Sequence, residues 1–112
     1  MMDAPLDQRD RRRCRLVVHM VALKLKATTT SQDGDALIEA IRRLPERVPG
    51  ILELRCGRNV SPARAHGYEI GVFVRFPGRE ELQAYGPHPE HQAVSRHIQE
   101  LCADVLALDF EV

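Results

Sequence analysis

Leu16-Val17-Val18-His19-Met20-Val21-Ala22-Leu23-Lys24-Leu25-Lys26 is the stretch that decides the fold. Side chains alternate across a strand, so Val17, His19, Val21, Leu23 and Leu25 share one face while Leu16, Val18, Met20 and Ala22 share the other. Both rows are largely apolar, so both faces of the sheet that contains this strand need cover. One protein layer covers one face only, which leaves the second for another surface.

Outward from this strand, the elements follow from periodicity and punctuation. Thr28-Thr29-Thr30-Ser31 offers N-cap side chains for a helix running to Leu44, with Leu37, Ile41 and Leu44 on one stripe and Pro45 as its stop. Gly34 weakens the start of that helix. Pro49-Gly50 turns the chain into a second strand, Ile51 to Cys56. A polar segment follows, and then a third strand in which Tyr68, Ile70, Val72, Val74 and Phe76 alternate with Glu69, Gly71, Phe73 and Arg75. Pro77-Gly78 breaks it. A short helix is expected over Arg79 to Tyr85, a longer one from about Pro89 to Cys102, and a closing strand from Val105 to Val112. The order β-α-β-β-α-β defines an α+β, ferredoxin-like arrangement with both helical crossovers on one face of an antiparallel sheet. Because the other face is also apolar, a homodimer that packs sheet against sheet is expected.

Length and composition narrow the functional classes. The 112 residues suit one domain, read as residues 15–112 behind a flexible tail over residues 1–14. Sixteen basic residues balance sixteen acidic ones, so nothing in the overall charge calls for nucleic acid or an anionic membrane. The basic run from Arg9 to Arg15 reads as part of a solvated tail. Three widely spaced cysteines, Cys14, Cys56 and Cys102, without a C-x-x-C, suggest neither a disulfide framework nor a zinc site and fit a reducing cytoplasm. With no apolar run of ~20 residues and no secretory leader, neither membrane insertion nor export is expected.

The chemistry-bearing segment is Tyr85-Gly86-Pro87-His88-Pro89-Glu90-His91. A phenol can polarise a carbonyl and an imidazole can move a proton near neutral pH. His91 is in register with Val94, Ile98 and Leu101, which turns it toward the core. His88 precedes Pro89 and can cap the helix. The spacing of His88 and His91 could present two nitrogens to a metal, but no third ligand is clearly positioned, so no metal or other cofactor is expected. Asp109 shares a face with Val105 and Ala107 and needs a histidine, an arginine or solvent as partner. His19 could line the same cavity.

The chain resembles the stress-responsive A/B barrel (Dabb) family. The resemblance runs from His19 to Val112 and rests on His19-Met-Val-Ala-Leu-Lys24, Val48-Pro-Gly50, Gly57-Arg-Asn-Val-Ser-Pro62, Gly67-Tyr68, Tyr85-x-x-His88-Pro-x-His91 and Asp109-Phe110. It implies a dimeric α/β barrel. Its likeness to a plant polyketide cyclase of that family implies His91 as acid–base histidine, Tyr85 as the residue polarising the substrate, and Asp109 as the carboxylate orienting His91. His19, His88 and Ile70 would face the substrate, Ile70 standing where the family often has a histidine. The expectation is a small homodimer that binds a carbonyl-containing, mainly apolar metabolite and carries out cyclase or lyase chemistry. Its rivals are a non-catalytic stress-responsive or ligand-binding dimer and a cofactor-free monooxygenase built on the same barrel.

Overall fold

A computed structural model describes residues 15–112. The expected tail and Cys14 lie outside the described residues. The elements are β1 (Val17–Leu25), α1 (Ser31–Arg42), a single-turn helix α2 (Leu44–Arg47), β2 (Glu53–Arg58), β3 (Ile70–Phe76), α3 (Arg79–Tyr85), α4 (Pro89–Leu101) and β4 (Cys102–Glu111), with one 3-10 turn at Pro62–Arg64. The four strands form one antiparallel sheet in the order β2-β3-β1-β4. This is the expected ferredoxin-like α+β fold, with β1 bonded on both edges.

Register assigns the two faces. Val17 lies opposite Phe76 and Glu111, His19 opposite Val74 and Asp109, Val21 opposite Val72 and Ala107, and Leu23 opposite Ile70 and Val105. Directly paired residues share a face, so these rows form the helix side. There Val17, Leu23, Ile70, Val74 and Phe76 are fully buried under Leu37, Ile38 and Ile41 of α1 and Val94 of α4. The helices do not reach across β4, whose Val105, Ala107 and Asp109 remain exposed on this side.

The opposite face carries Val18, which is buried, and Met20, Phe73, Leu106, Leu108 and Phe110, and no helix among the described residues packs over it. Met20 is 43% exposed, Leu106 51%, Leu108 60% and Phe110 47%, which is the uncovered second face that the double-sided pattern of β1 anticipates.

Element ends depart from expectation by a few residues for local reasons. Thr30 is the N-cap of α1, its hydroxyl accepting from the Asp33 amide at 3.0 Å while the Asp33 carboxylate accepts from the Thr30 amide at 3.4 Å. Pro45 does not close that helix: α1 ends at Arg42, and Pro45 sits in the first turn of α2, where its missing amide costs nothing. Gly34 has a positive use, because a Cβ there would stand 2.7 Å from the Arg58 guanidinium. Arg58 passes over it to reach the Ser31 carbonyl and the Asp35 carboxylate, tying β2 to α1.

The reciprocal cap at Thr30 supports the helix that covers most of the core. Thr30→Ala should cost about 1 kcal/mol and lower Tm by about 4–8 °C, measured by thermal unfolding, while Thr30→Ser should stay close to the parent.

Candidate functional site

The site is assembled from two sources. The first is the connection between α3 and α4. Tyr85 ends α3 and is buried, with its ring against Phe76 of β3 at a centroid separation of 5.2 Å. Gly86-Pro87 then turns the chain so that His88 becomes the N-cap of α4, Pro89 its first residue, and His91 part of its first turn. His91 thereby comes back over Tyr85, the rings 4.2 Å apart.

The second source is sheet register. His19 and Asp109 are direct partners across β1 and β4, and His19 Nδ1 is hydrogen-bonded to Asp109 Oδ1. His19 also meets the edge of the Tyr85 ring at 5.9 Å. The described structure thus brings His19, Tyr85, His91 and Asp109 into one neighbourhood, with His88 at its rim.

The expected pairing of Asp109 with His91 is not what forms. His91 Nδ1 lies 3.0 Å from the Gly86 carbonyl oxygen, and Asp109 is committed to His19. The physical reason is geometric: antiparallel register puts Asp109 beside His19, while the tight Gly86-Pro87 connection offers His91 a carbonyl five residues back. That carbonyl, and not a carboxylate, is the orienting group that sequence reasoning missed. The signal available was the short stretch between two helices, which leaves the end of α3 with unpaired carbonyls close to the first turn of α4.

Ile70 lies apart from this group. It is 2% exposed, packed in the core, and opposite Leu23. Four residues along β3 separate it from Val74, the partner of His19, a distance of roughly 13 Å at 3.3 Å per residue. His88 does not turn its Nδ1 outward either, because that atom accepts from the Glu90 amide at 3.1 Å.

The electrostatics separate the groups by role. A carbonyl only accepts, so the bond to Gly86 places the His91 proton on Nδ1 and leaves Nε2 with its lone pair. Burial lowers the His91 pKa below the ordinary imidazole value, against the opposing effect of the Gly86 bond; His19 and His88 add to the lowering. The ring is therefore neutral and able to accept a proton. Burial pushes the Tyr85 phenol up to about 12, which keeps its proton available for donation. None of the hydrogen bonds among the described residues engages that hydroxyl, and it is not among their buried, unpartnered atoms.

A cavity of about 280 Å³ opens beside Asp109 between α3 and the β1–β4 edge, lined by Val17, Arg79, Leu82, Gln83, Asp109, Phe110 and Glu111. The larger groove, about 680 Å³, lies over Arg15, Arg79, Glu80, Glu81 and Glu111 and contains none of the imidazoles. The smaller cavity likewise contains no imidazole; Asp109 is the one residue of the group that lines it. Among the described residues no cluster of three or more His, Cys, Asp or Glu side chains could hold a metal ion, and no helix is long and apolar enough to cross a membrane. Cys56 and Cys102 are buried, and burial raises both thiol pKa values, Cys56 to about 11, which makes them poor nucleophiles.

Residues 17–112 match the profile of the Stress responsive A/B Barrel Domain, Dabb. A stress-response A/B barrel domain-containing protein of Arabidopsis thaliana is 32% identical over 74 residues, which is 66% of this chain and 28% of that protein. The chain therefore matches little more than a quarter of that relative's length. Among solved structures, a hydroxynitrile lyase from Passiflora edulis superposes with a TM-score of 0.81 at 19% identity, covering 88% of this chain and 94% of that one. A dimeric ferredoxin-like protein of unknown function from Jannaschia gives 0.73 at 27% identity, with 87% and 99% covered. One from Bacteroides fragilis, also described as dimeric, gives 0.76 at 25%, with 87% and 96% covered.

The lowered pKa of His91 has a sign that unfolding can test. Above the unfolded value of about 6.5 the ring is neutral in both states and costs nothing. As pH falls below that value the unfolded chain takes up the proton first, so stability declines until the pH has passed through the lower folded pKa. Urea unfolding at pH 7.5 and 5.5 should show a smaller loss for His91→Gln than for the parent.

Proposed function

Because the chain belongs to the stress-responsive A/B barrel family, we propose that it forms a homodimer whose cleft binds a carbonyl-containing, mainly apolar metabolite and moves a proton next to the carbonyl, as a cyclase or lyase. The observation that carries this reading is the His91 ring: oriented by Gly86, kept neutral by burial, and packed at a tilt against a phenol that retains its proton. His91 Nε2 takes the proton α to the carbonyl. The Tyr85 hydroxyl donates to the oxygen as negative charge develops on it, where a positioned donor is worth most. The His19–Asp109 pair forms the other wall, and Asp109 keeps the His19 proton on Nδ1 so that Nε2 is the atom left for substrate. This chain's own side chains supply every step, and no cofactor enters. The hydroxynitrile lyase with the same fold makes a proton-transfer lyase compatible with the scaffold, although at 19% identity that likeness concerns shape alone.

Dimerisation is supported by the uncovered apolar face and by the two dimeric relatives at 25% and 27% identity. Packing the two faces together would remove Met20, Leu106, Leu108 and Phe110 from water and close the α/β barrel. Fully burying a large apolar side chain is worth ~1.5–3 kcal/mol, and these four, each about half exposed, would contribute part of that to the contact. Cytoplasmic residence, with the buried thiols reduced, belongs to the same reading.

A second reading is a non-catalytic stress-responsive or ligand-binding dimer, favoured by the stress response named for both the family and the Arabidopsis relative. The two readings diverge in one measurement. Incubated in deuterated buffer with a panel of enolisable ketones, β-keto thioesters and cyanohydrins, the parent should accelerate α-proton exchange or carbon–carbon cleavage of at least one compound. His91→Ala should then reduce that rate by roughly 10²–10⁴ and Tyr85→Phe by roughly 10²–10³, with the fold intact by circular dichroism. Saturable binding without exchange or cleavage selects the non-catalytic dimer. In light scattering, Leu108→Asp should convert the dimer to a monomer, whereas an unchanged mass for this variant would remove the sheet-to-sheet interface.

A further inference from the structure

Within the eight residues Tyr85 to Gln92, four hydrogen bonds fix the start of α4 and tie it to the end of α3. The His88 amide donates to the Tyr85 carbonyl at 3.2 Å, the Gln92 amide to the His88 carbonyl at 2.9 Å, the Glu90 amide to His88 Nδ1 at 3.1 Å, and His91 Nδ1 to the Gly86 carbonyl at 3.0 Å. Three of the four use an atom of His88. Its backbone is extended, with φ −61° and ψ 134°, as an N-cap requires. Pro89 has no amide to satisfy, so the first free donor of α4 is the Glu90 amide, and the His88 ring takes it.

A histidine is an unusual choice for this position, which Ser, Thr, Asp and Asn normally fill with an oxygen. An imidazole caps only through a bare nitrogen, so the cap holds the His88 proton on Nε2. His91 has the opposite tautomer, with Nδ1 protonated against Gly86. The two rings are therefore locked in complementary states by the same short connection.

We propose that His88 is the positioning residue for His91: by capping α4 it fixes the first turn, keeps His91 Nδ1 on the Gly86 carbonyl, and so leaves His91 Nε2 bare and the ring packed against Tyr85. In this role His88 acts through the helix and does not touch substrate. The catalytic side of the statement rests on the proposed proton-transfer function; the structural side does not, and its test needs no turnover.

Long-range proton–nitrogen NMR of the imidazoles reads both tautomers directly. In the parent, His88 should carry its proton on Nε2 and His91 on Nδ1; a parent His88 protonated on Nδ1 overturns the proposal before any variant is made. His88→Ala should make the Glu90 and His91 amides exchange about fivefold faster, the loss expected from removing a cap, and should shift His91 toward a mixture of tautomers. His88→Asn and His88→Ser restore a capping oxygen and should restore both readouts. If a substrate has been found, His88→Asn should keep most of the parent kcat and His88→Ala should lose it, with KM little changed in either. An unchanged His91 tautomer in His88→Ala, or failure of both oxygen caps to rescue it, overturns the proposal. So does a KM raised equally in the Asn and Ala variants with His91 undisturbed, which would mark a substrate contact. Failure of the proton-transfer function would show differently, as His91→Ala without effect on any substrate while the NMR result stands.

Discussion

Everything in this chain hangs on the double pairing of β1. Antiparallel ladders on both edges place β3 and β4 beside it in fixed register, and the strict two-residue period then decides which side chains face the helices and which face outward. A one-residue slip would carry His19 to the bare face and bring Met20 under α4. The apolar packing of Val17, Val21 and Leu23 against the helices opposes such a slip, because these side chains would leave the core together. Core packing and site geometry are therefore one constraint, since the rows that bury the valines also align His19 with Asp109.

The acid–base group gains its character from the contrast between its two halves. Tyr85 and His91 are held by a connection of a few residues, sit against the core, and are driven by burial toward their uncharged forms. His19 and Asp109 sit where the helical layer stops short of β4, with the Asp109 side chain 46% exposed. One half is apolar and neutral, the other polar and open to water. A carbonyl compound lying across the boundary would meet an uncharged base and a phenol donor on one side and a hydrogen-bonded imidazole–carboxylate pair on the other.

Strand and helix identities were legible in the sequence because alternation and the 3.6-residue stripe are local patterns. The two apolar faces of β1 announced the exposed apolar face of the sheet, and the stripe of α4 set His91 on the side that meets Tyr85. The helix ends shifted where capping and proline chemistry offered two solutions, as at Pro45, which could stop one helix or start another. Partner choice in the site was less accessible. Asp109 was rightly seen to need a partner, but whether that was His19 or His91 depends on pairing between residues ninety positions apart, and periodicity within a segment carries no information about register between segments. The Gly86 carbonyl was missed for another reason: backbone acceptors are present at every position, and only the three-dimensional turn selects one. Ile70 was assigned by correspondence with a family position, and its burial opposite Leu23 belongs to core packing in this chain.

The separation between His19 and Asp109 also has a consequence in time. Synthesis proceeds from the N-terminal side, so β1 and the Tyr85–His91 connection leave the ribosome before β4 does. The first strand must wait for the last, and until it arrives one long edge of β1 is unpaired. Nascent or truncated forms of the domain can form the local half of the site yet lack the imidazole–carboxylate pair, so the complete acid–base group appears only when the sheet closes.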